Sequence, residues 1–126
     1  MSNLFVILWM IFFHIVDDYV LQAPCLCDLK QRGWWVKNAP NELYRYDFIW
    51  ALIMHSFSWS FMIMLPIAYV HNFEVGSRFL AIFVANVIVH SVTDHVKAND
   101  KKINLWKDQR IHMFQIIMTA FLGLHI

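Results

Sequence analysis

Phe79-Leu-Ala-Ile-Phe-Val-Ala-Asn86-Val-Ile-Val-His90-Ser-Val-Thr93-Asp94-His95-Val-Lys97 is the stretch that decides the fold. From Phe79 to Val89 it is almost pure hydrocarbon, interrupted only by Asn86. His90 and Asp94 then follow four residues apart, which places both on one face of a helix. With Asn86, Thr93 and Lys97 they form a polar stripe on a segment that is otherwise apolar all round. Polar atoms on such a helix have to look inward, toward partners, a cavity or an ion. The spacing recurs twice. His14 and Asp18 close the first apolar run, and Asp108 and His112 open the last.

Composition sets the solvent. The chain has 126 residues, one domain's worth, of which 60% are hydrophobic and 15% charged. A soluble domain of that length exposes too much surface to hide so many apolar side chains, so much of its exterior is expected to face lipid. A net charge of +1, with no basic patch interleaved with aromatics, excludes nucleic acid as a partner. Cys25 and Cys27 are too close in sequence for ordinary disulfide geometry and read as reduced thiols on a cytoplasmic face. A second thiol pair to complete a soft-metal site is missing. The amino-terminal segment lacks the basic start of a secretory signal, and Pro24 before Cys25 argues against lipoprotein cleavage. The first helix is therefore expected to stay.

Four apolar segments, about 4–22, 48–70, 79–96 and 104–126, each approach the ~20 residues that cross a bilayer core. They predict an all-α protein, a four-helix transmembrane bundle forming a single integral membrane domain. Lys30, Arg32, Lys37 and Arg45 lie in the first connection, residues 23–46. Lys97, Lys101, Lys102, Lys107 and Arg110 flank the third, and only Arg78 lies at the second. Positive charge concentrated around loops one and three places them in the cytoplasm, giving an N-out/C-out, multi-pass protein of the inner (cytoplasmic) membrane. Trp34, Trp35, Trp50 and Trp106 fall at the same boundary, where indoles prefer to sit. Residues 28–36 are expected to lie against the headgroups.

That topology brings His14, Asp18, His55, His90, Asp94, Asp108 and His112 to one depth, the cytoplasmic third of the bundle. An ionised aspartate at mid-membrane costs about 2.5–3.5 kcal/mol on insertion scales, so three of them require compensation. A divalent metal, one or two ions, supplies it. Imidazole and carboxylate donors without sulfur favour zinc, manganese or iron, with nickel also admissible. Seven donors suit either a two-metal site or one metal with further carboxylates orienting the imidazoles, and Gln22 and Gln109 are candidates for that outer layer. The alternative for any single pair is a helix-to-helix hydrogen bond. Asp17 is read as an interfacial charge, His95 as interfacial, and His71 and His125 as solvated on the outer side. Ser56, Ser58 and Ser60 are read as marking close helix packing.

His14-x-x-x-Asp18-Tyr19-Val-Leu-Gln22, Lys30 and Lys37, His55, His90-x-x-x-Asp94-x-x-Lys97, and Asp108-Gln109-x-x-His112 together resemble a family of small bacterial and phage integral membrane proteins, domain of unknown function 3307. The resemblance spans nearly the whole chain in order, with Tyr19 where the family more often has phenylalanine. Relatives in that family are similar to membrane-bound metal-dependent hydrolases. The resemblance thus implies that the polar constellation is functional, and it leaves the reaction open.

Three functions follow as expectations. The first is a metal-dependent hydrolase acting on a phosphoester or a lipid headgroup from the cytoplasmic leaflet. There Asp18 or Asp108 serves as general base and Lys97 neutralises phosphoryl charge, while Lys30, Lys37, Lys97 and Arg110 attract the anionic lipid or phosphoester substrate. The second is a non-catalytic phage or bacterial membrane module that modifies the envelope or blocks infection through a protein partner. The third is an ion or proton carrier, ranked last because polar residues thin out toward the outer face. Membrane lipid is the expected surrounding partner, and a homo-oligomer is left open.

Overall fold

The computed structural model describes residues 1–126 and is helical throughout, without a strand. Its helices are α1 (Asn3–Val16), α2 (Pro24–Leu29), α3 (Arg32–Asn38), α4 (Asp47–Val70), α5 (Ser77–Ala98) and α6 (Leu105–Gly123). A π-helical turn, Asp17–Leu21, prolongs α1, and a 3-10 turn, Glu42–Tyr44, precedes α4. Local chemistry marks the starts. Ser2 caps α1 by accepting from the Phe5 N–H at 3.3 Å, and Asn104 caps α6 by accepting from the Lys107 N–H at 3.0 Å.

Three segments are long and apolar enough to cross a membrane: Asn3–Leu21, Glu42–Val70 and Ser77–Ala98. The last long helix, α6, is not one of them. Its first turns carry Lys107, Asp108 and Arg110, and its buried face carries His112, Gln115 and Thr119.

The long helices form a square. α4 and α6 each pack against both α1 and α5, and α4 also meets α6 across the diagonal. The packing is polar inside and apolar outside. Among the 29 buried residues, polar and charged side chains are as numerous as apolar ones. Leu4, Phe5, Leu8, Phe12, Phe57, Phe61, Leu80, Val84, Ile88, Phe114, Ile117 and Phe121 point outward and are exposed. A surface so apolar is incompatible with water as the only solvent for these helices. The apolar core, built around Val6, Met10, Trp59, Ile63, Ile67, Ile116 and Ala120, fills one half of the bundle. Gly123 belongs to that half: a Cβ there would lie 2.7 Å from Ile67 Cδ1 and 3.1 Å from its Cγ2, so a larger residue would have to displace the Ile67 side chain. The other half holds the histidines and aspartates.

The first connection is folded rather than loose. Asn99, at the end of α5, accepts from the Arg32 N–H at 2.6 Å and donates to the Lys30 carbonyl at 3.0 Å. Trp35 donates to the Leu29 carbonyl at 2.8 Å and stacks on Tyr44. Trp34 and Trp35 lie half-buried here, on α3.

Candidate metal centre

The buried face of α1 runs Val6, Met10, His14, Asp17, a spacing of four, four and three. The same face of α5 carries Asn86, His90, Thr93 and Asp94, and that of α6 carries Asp108, His112, Gln115 and Thr119. His55 comes from the start of α4. Because α1 and α5 enter from one end and α4 and α6 leave from it, these side chains meet at one level. The expected convergence of His14, Asp18, His55, His90, Asp94, Asp108 and His112 is present as geometry.

Two groups of donors emerge, sharing His90. Asp18, His55 and His90 form one, and His90, Asp94 and His112 the other. Asp94 faces both ways. Its Oδ1 lies 3.7 Å from His90 Nε2 and 3.6 Å from His112 Nε2, and its Oδ2 lies 3.5 Å from His55 Nε2. Asp108 Oδ1 is 3.3 Å from His112 Nε2, and Asp18 Oδ1 is 3.4 Å from His55 Nε2. These separations are too long for good hydrogen bonds. They do match the edges of a coordination tetrahedron: donors each about 2.0–2.2 Å from one zinc lie roughly 3.3–3.6 Å apart. Both ring nitrogens of His90 and of His112 lack any hydrogen-bond partner, as do Asp18 Oδ1 and Asp108 Oδ1. Leaving so many buried polar atoms unpaired costs about 1–3 kcal/mol each, and a cation satisfies several at once. The donor set therefore fits a metal ion.

Charge gives the same answer. Asp17, Asp18, Asp94 and Asp108 stand against two ammonium groups: Lys30 Nζ is 2.6 Å from Asp94 Oδ2, and Lys97 Nζ is 2.7 Å from Asp108 Oδ2. Two negative charges remain, the charge of one divalent cation.

His14 has a different place from the other imidazoles. Trp59 Nε1–H donates to its Nδ1 at 2.8 Å, which leaves the proton on Nε2, 3.0 Å from Gln109 Oε1. Gln109 in turn donates to Asp108 Oδ2 at 3.1 Å and faces Asp18 Oδ2 at 3.5 Å. His14 thus stands outside both donor groups, at the head of a hydrogen-bond chain that holds the carboxylates. Gln109 performs the orienting role expected of it, and Gln22 accepts from Lys30 at 2.7 Å.

Asp17 is a correction. It is not an interfacial charge but 1% exposed, accepting from Ser58 Oγ–H at 2.5 Å with its other oxygen 3.5 Å from His55 Nδ1. The reason is helical periodicity: Asp17 is three residues after His14 and Asp18 four, so both share its face. The π turn, with Gln22 N–H donating to Asp17 O at 2.8 Å, carries Gln22 round to the same site. Ser58 is accordingly a partner of Asp17 rather than a packing residue, while Ser56 donates to the Leu52 carbonyl.

Lys30 was expected at the mouth and instead is buried among the carboxylates. Lys97 lines a cleft of about 120 Å³ together with Asp18, Tyr19, Gln22, His55 and Asp94. Trp59 packs against the histidines, its ring stacked on His90 with centroids 4.3 Å apart. An indole four residues after His55 on an inward face was the available signal. His71 is half-buried and bonds the Gly123 carbonyl at 2.9 Å, rather than being fully solvated. Asn86 also has more company than expected. Its Oδ1 accepts from Gln115 at 2.8 Å and Thr119 at 3.0 Å, closing a polar clasp between α5 and α6.

Fold and site together define an all-helical protein with three helices able to cross a membrane and a buried His/Asp cluster able to hold a metal ion. No protein-family model, curated protein or solved structure matches the chain.

Proposed function

We propose that this chain is a multi-pass protein of the inner membrane, a four-helix bundle with N-out/C-out topology, that hydrolyses a phosphoester or lipid headgroup with a bound divalent metal. Kinship with domain of unknown function 3307 belongs to the same proposal. It rests on the motif order from His14 to His112. α6 becomes the fourth spanning helix because its polar residues face its neighbours and its exposed side chains, Phe114, Ile117 and Phe121, are apolar.

One observation carries the metal reading: His90 is fully buried, has no hydrogen-bond partner on either nitrogen, and its Nε2 stands 3.7 Å from Asp94 Oδ1, beside His112. His90, Asp94, His112 and Asp108 would hold the ion, with zinc, manganese or iron favoured by the nitrogen–oxygen donor set. A divalent ion supplies Lewis acidity and a nucleophile of lowered pKa near neutral pH. The residues supply the rest. The cleft admits a phosphate-sized group, and Lys97 lies on its wall to meet anionic oxygens. Asp108 would be a ligand and its Oδ2 is taken up by Lys97 and Gln109, so Asp18, which lines the cleft as Asp108 does not, is the proton acceptor. Lipid headgroups suit the site because it lies at the basic, tryptophan-rich end of the helices, where such groups reside.

The carrier reading gains little. Beyond His112 the polar residues close into the Asn86–Gln115–Thr119 clasp, and Met64, Ile67 and Ile116 fill the adjacent level. The test is purified full-length protein in detergent, assayed with a phosphoester panel and by elemental analysis, beside lipid profiles of expressing cells. Metal-dependent turnover lost in Asp94→Asn supports the proposal. Bound metal with no turnover and unchanged lipids transfers it to a non-catalytic module acting through a partner.

A further inference from the structure

Lys30 is the least expected resident of the site. A lysine at the end of a six-residue helix in the first connection is 5% exposed, its ammonium held by Asp94 Oδ2 at 2.6 Å and Gln22 Oε1 at 2.7 Å. Its backbone is clamped to α5 through Asn99, which binds the Lys30 carbonyl and the Arg32 N–H. A flexible four-carbon stem would let the ammonium withdraw without undocking the loop.

The oxygen that Lys30 occupies belongs to a second set of donors. Asp94 Oδ2 is 3.5 Å from His55 Nε2, which is 3.4 Å from Asp18 Oδ1. Both edges match donors bound to a common ion at about 2.0–2.2 Å. His55 is oriented for ligation: its Nδ1 faces Asp17 Oδ2 at 3.5 Å, and its Nε2 is directed toward Asp18 and Asp94. Asp17 is itself fixed by Ser58. Fully buried His90, unpartnered on both nitrogens, adjoins the same group. Asp94 would then bridge, one oxygen to each ion, as in two-metal sites with ions about 3.5–4 Å apart. An ammonium and a divalent ion cannot share Asp94 Oδ2 without strong repulsion at close range.

We propose that Lys30 is the resident cation of a second metal subsite, formed by Asp18, His55 and Asp94 Oδ2, and that a divalent ion enters when the Lys30 side chain withdraws. The proposal rests on the metal reading of the first subsite. It gives the exchange a consequence. With Lys30 in place and one ion bound, the cluster is neutral; with Lys30 out and two ions bound, it carries one net positive charge. The centre attracts a phosphoryl group more strongly in the second form, in which Asp18 serves as a ligand rather than as the proton acceptor of the one-ion form.

The experiment is zinc or manganese titration of full-length protein in detergent, with bound metal counted per chain. Wild type should bind one ion tightly and a second at least tenfold more weakly. Lys30→Met should bind both tightly, Lys30→Arg should remain at one tight ion, and Lys30→Met combined with Asp18→Asn should return to one. Amine-selective labelling of wild type supplies a second readout that needs no variant: Lys30 modification should rise at least tenfold as the second ion binds. One tight ion in both wild type and Lys30→Met, or a second ion that leaves Lys30 unlabelled, overturns the exchange while sparing the first subsite. No metal in any form overturns both.

Discussion

The two halves of the bundle use the same four helices for opposite purposes. Toward one end, Val6, Met10, Ile63, Ile67, Ile116 and Ala120 interlock, and Gly123 lets α6 approach Ile67 closely. Toward the other end the same helix faces carry His14, Asp17, His55, His90, Asp94, Asp108 and His112, and the ring nitrogens of His90 and His112 are left without partners. Apolar side chains in contact satisfy themselves. Polar donors spaced just beyond hydrogen-bonding distance do not, and they call for an ion. One half holds the helices together, and the other is held open at defined distances by it. Trp59 is the join: its ring belongs to the apolar core, while its N–H fixes His14.

The contrast is broken most severely by removing a donor. His112→Ala should abolish stoichiometric metal, because it deletes a ligand facing both Asp94 and Asp108, and elemental analysis of the purified variant checks it. Retained metal would mean that the polar half is a packing network. The reciprocal change, Ile63→Ala, removes a fully buried side chain from the apolar half. It should cost about 2–4 kcal/mol in detergent unfolding yet leave metal stoichiometry intact. Loss of metal in that variant would show that the halves are not separable.

Smaller effects sharpen the boundary. Gln109→Leu removes the link between His14 and the carboxylates without touching a ligand. Competition against a chelator should register metal affinity about 10–100-fold weaker, the usual effect of losing an orienting partner. Thr119→Val deletes one arm of the Asn86 clasp, well away from the ions. A stability loss near 0.6 kcal/mol is expected, as for other hydrogen bonds between membrane helices, with no change in metal affinity.

Much of this was determined by the chain itself. Apolar runs specified the three segments long and apolar enough to cross a membrane. The four-residue spacings of His14/Asp18, His90/Asp94 and Asp108/His112 specified inward polar faces, because helical periodicity is a local property. The same rule placed Asp17 inward, three residues after His14, although the adjacent charges Asp17 and Asp18 invited the reading of one in and one out. What tertiary structure alone decided is which atoms meet. Spacing could not tell that Trp59 and Gln109 satisfy both nitrogens of His14 while His90 and His112 are left unsatisfied. Nor could it tell that Lys30, 64 residues from Asp94, would enter the cluster. Those outcomes depend on the rotation and depth of helices packed against one another, and on a loop folded back over their ends. Periodicity fixes the direction of a side chain on its own helix; only packing fixes what stands opposite it.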